Sequence, residues 1–93
     1  MTDPVIRLFF EEEMPIDLLL HQIDELINAD ICRTIHITLS VYFMSVHIPD
    51  YKNLVSIPPK FTRTHNMTVY IENRPVTDMI LIEIIISKKQ QFY

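Results

Sequence analysis

A chain of 93 residues with 48% hydrophobic and 22% charged side chains is long enough for one small folded domain and too apolar for a disordered one. Its net charge of −4 is the wrong sign for a dedicated polyanion binder. It contains no glycine, where average usage would supply about six or seven. This excludes the glycine-rich loops that let a backbone close on a phosphate or dinucleotide.

Without glycine, every turn must rely on Asn, Asp or Pro. Such a composition fits a fast-evolving accessory protein, a virus-encoded one for instance. The one cysteine, Cys32, cannot form an intrachain disulfide. With no signal-peptide pattern at the N-terminus, a cytoplasmic setting is expected. The longest apolar run, Met79 to Ile86, contains Glu83 and is too short to span a bilayer, so no membrane partner is expected. Charge is divided unevenly: residues 1–50 carry −7 and residues 51–93 carry +3. A molecular dipole follows if folding keeps the halves apart.

Val5–Phe10 reads as a first strand, with Pro4 just ahead of it, where no ladder N–H is lost. Ile16–Asn28 reads as a helix. Ile16, Leu19, Leu20, Ile23, Leu26 and Ile27 recur at helical spacing and form one stripe, from which Leu18 stands apart. Pro15 suits the first helical position, and Asp17 favours the positive end of the helix dipole. The helix should stop near Asn28–Asp30, residue types that tolerate left-handed geometry. Thr34–Ile48 is the longest alternating stretch. Ile35, Ile37, Leu39, Val41 and Phe43 point one way and the intervening residues the other. After Phe43 the phase reverses, which predicts a β-bulge at Phe43–Met44. Pro49 and Asp50 end that strand. Leu54–Ile57 is a weak edge-strand candidate, Met67–Glu72 a further strand, Asn73-Arg74-Pro75 a turn, and Met79–Ser87 the last strand. Residues 88–93 read as a loose tail.

Strand, helix and long strand form a βαβ unit whose two strands run parallel. The expected architecture is therefore a single-domain α+β fold over residues 1–93. It has two layers, one helix packed on a mixed four- to five-stranded sheet in β-α-β-β-β order.

No constellation carries enzyme chemistry. Cys32 and His36 would share a strand face, and His47 and His65 could approach. Yet neither CxxC nor HxxxH spacing is present, so no metal site is expected. Ser40 sits mid-strand, without the sharp turn that presents a nucleophile. Glu11, Glu12, Glu13 and Asp17 are accounted for by the helix dipole. The chain is expected to hold no cofactor and to be no enzyme.

Two binding readings remain. The first is a small interaction protein that self-associates as a homodimer or binds another protein. It rests on the last strand, apolar on both faces, where one helix can cover only one face. The candidate contacts are Phe9, Ile80, Leu81, Ile82 and Ile85. Residues 50–66 folding over the second face would remove the need for a partner. The alternative reading is nucleic-acid binding through the basic and aromatic segment 51–66, with Tyr51, Lys52, Lys60, Phe61 and Arg63 as contacts.

Overall fold

The computed structural model describes residues 5–11, 14–42, 48–74 and 77–89. Four strands make one mixed sheet: β1 (Val5–Phe10), β2 (Thr34–Tyr42), β3 (His65–Arg74) and β4 (Met79–Lys88). Their spatial order is β1-β2-β4-β3. β1 runs parallel to β2, and β4 is antiparallel to both its neighbours. The α+β, two-layer architecture is the expected one.

α1 spans Ile16–Ala29. Its stripe lies on the sheet as the spacing requires: Leu19, Ile23 and Ile27 are buried, and Ile16 and Leu26 pack against them at the margin. Leu18 is 52% exposed. Pro15 stands at the N-cap in an extended conformation, one position earlier than expected. Its carbonyl accepts from the Leu19 N–H at 3.0 Å. At the other end Asp30 takes the left-handed conformation (φ 51°). The other described residue with positive φ is Asp78 (φ 54°), ahead of β4. In a chain without glycine, aspartate fills both places, because its short polar side chain lowers the cost of that geometry.

Sheet register explains why β2 and β4 supply most of the core. Ile35, Ile37, Leu39 and Val41 pair with Ile86, Ile84, Ile82 and Ile80, and all eight are buried under the helices. These two strands lie at the centre of the sheet, where each is flanked on both sides.

Residues 48–61 depart from the sequence reading. β2 is described as far as Tyr42, and Ile48–Leu54 forms a second helix, α2. Pro49 does not end a strand; it occupies the first helical turn, where its missing N–H costs nothing. The strand candidate Leu54–Ile57 is not a strand: Leu54 closes α2, and the chain from Val55 to Pro58 has no regular structure. A single 3₁₀ turn, Pro59–Phe61, follows. Tyr51 and Val55 join the buried cluster of α1, and Phe61 packs against it. The segment therefore extends the layer that α1 begins and does not cover the second face of the sheet. The bulge expected at Phe43–Met44 lies outside the described residues. So does the tail beyond Lys89. Lys88 belongs to β4, and the Lys89 N–H donates to the Thr64 carbonyl at 2.8 Å.

Candidate interaction surfaces

The face of the sheet away from the helices presents the alternate residues of each strand. Register arranges them in rows. One row is Phe9, Thr38, Glu83 and Tyr70. The next is Arg7, His36, Ile85 and Thr68. Beyond Thr38 come Ser40, Leu81 and Glu72, then Tyr42, Met79 and Arg74. Phe9 is 59% exposed, Tyr42 69% and Tyr70 53%, while Met79, Leu81 and Ile85 are half-buried by their neighbours. No described residue of this face is fully buried. Near its centre, His36 Nε2 lies 3.7 Å from a Glu83 carboxylate oxygen and has no hydrogen-bond partner.

The self-association candidates divide accordingly. Phe9, Leu81 and Ile85 occur on this open face. Ile80 and Ile82 do not: both point under the helices and belong to the core, because successive residues of a strand point to opposite sides. Neither is available to a partner at this face.

The nucleic-acid candidates divide too. Tyr51 is fully buried, and its hydroxyl bonds the backbone of Met14, so it presents no ring to a base. Phe61 is partly buried, edge-on to the His65 ring at 5.7 Å, with Lys60 Nζ 5.2 Å from its centroid. Lys52 is exposed on α2, and Arg63 is exposed just before β3.

Sequence reasoning did not foresee a second surface. Where β2 begins and β4 ends, a cleft of about 700 Å³ opens, lined by Arg33, Lys60, Phe61, Lys88 and Lys89 together with Asp30, Thr64 and His65. The Lys88 ammonium contacts the Asp30 carboxylate, and Lys60 Nζ sits 3.0 Å from Asp24. Lys89 Nζ donates to the Thr62 carbonyl at 2.9 Å. His65 Nδ1 and the Thr64 hydroxyl are 2.8 Å apart. Partial burial, and then the nearby Lys88 charge, hold His65 below its ordinary pKa of 6.5. Lys88 holds the exposed Asp30 carboxyl below its ordinary 3.8, chiefly by hydrogen bonding. The bases come from residues far apart in the chain, which is why no local motif announces them.

Arg33, Arg63, Lys88 and Lys89 lie at the end where β2 and β3 start, with Asp30 among them. Glu11, Glu72 and Asp78 lie at the opposite end, together with Arg74, which contacts Glu72.

Cys32 precedes β2 and does not share a strand with His36. Among the described residues no group of three His, Cys, Asp or Glu side chains could hold a metal ion, and no helix is long and apolar enough to cross a membrane. Comparison of the chain with family models, curated proteins and solved structures finds no match.

Proposed function

We propose that this protein is a small, non-enzymatic interaction module that pairs with a second copy of itself through the open face of the sheet. The observation that carries the reading is the one-sidedness of the fold: α1, α2 and the 3₁₀ turn all lie on one face. Four of the exposed large apolar residues, Val5, Phe9, Tyr42 and Tyr70, then share the other face with Met79, Leu81 and Ile85. Aromatic residues around a half-buried aliphatic centre are typical of protein interfaces.

A second copy fits better than an unrelated partner on two counts. The four strands present roughly 550 Å² of flat sheet, taking about 3.3 Å per residue and about 4.8 Å between strands. Two such faces approach the lower end of the roughly 1,200–2,000 Å² buried in a standard complex. The face also carries its own complement. A twofold axis near its centre brings His36 of each copy toward Glu83 of the other, as a self-complementary interface requires. Cys32, the chain's single thiol, fits a cytoplasmic location.

Sedimentation equilibrium tests this. The wild-type protein is expected to dimerise at micromolar to tens-of-micromolar concentrations. Ile85→Asp should give a folded monomer, because a dimer would bury an uncompensated carboxylate. Phe9→Ser, at the rim, weakens association without touching the core. A wild-type chain that stays monomeric across this range removes the proposal.

A further inference from the structure

We propose that His36 and Glu83, one pair from each copy, bind a zinc ion between the paired open faces. The site rests on the pairing proposed above and is incomplete without it: one chain supplies two ligands, and a twofold axis makes them four. The first observation is an orphaned nitrogen. His36 Nε2 is buried and has no hydrogen-bond partner, where such an atom ordinarily meets a water or an ion. It lies 3.7 Å from a Glu83 carboxylate oxygen. That is too long for an N–H···O bond, which closes at about 2.7–3.2 Å. It is close to the spacing of two ligands on one zinc ion. Bonds of about 2.0–2.1 Å at tetrahedral angles hold neighbouring donor atoms roughly 3.3–3.4 Å apart.

The second observation is charge. Glu83 sits on β4, between β2 and β3, with Thr38 and Tyr70 beside it in register. Its side chain is 34% exposed. Pairing two such faces takes both carboxylates out of water near one axis, which is costly unless a cation compensates them. Two neutral imidazoles cannot do so. One Zn²⁺ offsets both carboxylates and leaves the site neutral. Arg7 is the charged neighbour of His36 on β1, exposed and one strand further out. Its pairing with the partner's Glu83 is the plain alternative, and a proton on each imidazole is another. The third observation is ligand chemistry and reach. Imidazole nitrogen and carboxylate oxygen are both zinc ligands, whereas magnesium and calcium take oxygen. Facing sheets pack about 10 Å apart, so side chains of this length meet midway. Among the described residues a single chain brings no three such ligands together, so the site arises only across two copies.

A second histidine–glutamate pair in the same chain serves as the control. His21 Nε2 lies 3.0 Å from Glu25 Oε1 on the solvent side of α1, with the two side chains 64% and 61% exposed. It lies on the helix layer, away from the open face, and zinc held there would bind as one ion per chain.

The test uses zinc chloride, magnesium chloride and EDTA as probes, with sedimentation equilibrium for association and calorimetry for stoichiometry. At fixed neutral pH, micromolar zinc is expected to tighten dimerisation at least ten-fold over EDTA, with one ion bound per two chains. Magnesium should leave it unchanged. His36→Gln and Glu83→Gln should each abolish the response, so that the dissociation constant is the same in zinc and in EDTA, while His21→Gln retains it. Circular dichroism of each variant confirms that it is folded. A wild-type dimer indifferent to zinc overturns the site and leaves the dimer standing; a chain monomeric under every condition overturns both. Binding of one ion per chain, or a zinc response that His21→Gln abolishes, also overturns the site. So does a dimer that tightens only as pH falls, with zinc without effect, because protons then neutralise the buried pair.

Discussion

The hydroxyl of Tyr51 satisfies both backbone groups of Met14. It accepts from the Met14 N–H at 2.9 Å and donates to the Met14 carbonyl at 2.7 Å. One side chain from α2 thereby secures the approach to α1, 37 residues earlier in the chain. A helix of seven residues is too short to persist in water by itself. Burial of the Tyr51 ring and this pair of hydrogen bonds hold it in place.

Tyr51→Phe keeps the ring and removes the hydroxyl. It leaves a half-buried N–H and carbonyl without their partner, and the expected cost is about 1–3 kcal/mol. Urea denaturation measures it. A loss below about 0.5 kcal/mol would mean that water replaces the hydroxyl freely.

Ile23 is at the centre of the α1 stripe and is fully buried. Ile23→Ala should destabilise the protein by about 2–5 kcal/mol through lost burial and the cavity left behind. Leu18→Ala, on the solvent side of the same helix, should stay within about 0.5 kcal/mol. Comparable losses at both positions would contradict the way α1 is seated.

Stability should depend on pH through His65. Its folded-state pKa is depressed below 6.5. Between the folded value and 6.5 the unfolded chain binds more protons, so stability rises with pH across that window and is lost as pH falls through it. Asp30, held below 3.8 by Lys88, adds a separate loss at more acidic pH, because its depressed pKa favours the folded state only while the carboxyl is ionised. Denaturation midpoints on either side of 6.5 should show the first slope, and His65→Gln should flatten it. A midpoint that falls as pH rises through the window would contradict the assignment.

Asp78 is exposed and held at φ 54°. Asp78→Gly relieves about 1–2 kcal/mol of left-handed strain and returns about 0.4–1 kcal/mol through the freer unfolded chain. A net gain of about 0.5–1 kcal/mol in a thermal melt is expected. Asp30→Gly should gain less, since it also removes the partner of Lys88.

Patterns with a short period were legible in the sequence. The α1 stripe, the alternation in β2 and the two faces of β4 are each set by the geometry of a single element, and each is found where the period put it. α2 was missed although Ile48, Tyr51 and Val55 stand at helical spacing, because Pro49 can close a strand as readily as it can open a helix. The open face was legible in part. The alternation separates Ile80 and Ile82 from Leu81 and Ile85, but only the helices decide which set stays uncovered. The cleft was not legible: Arg33, Lys60 and Lys88 become neighbours only because β4 inserts beside β2, a pairing between residues about fifty positions apart.

That insertion has a consequence during synthesis. β4 leaves the ribosome after the other three described strands, yet it occupies an interior position and supplies four of the buried isoleucines. Until Met79–Lys88 emerges, β2 has an open edge and α1 rests on half a platform. β3, already outside, has no partner among the strands made before it. The nascent chain therefore gains little from folding piece by piece. The order of its strands favours waiting, and a chaperone that shields Ile35, Ile37 and Leu39 would have the most to protect in that interval.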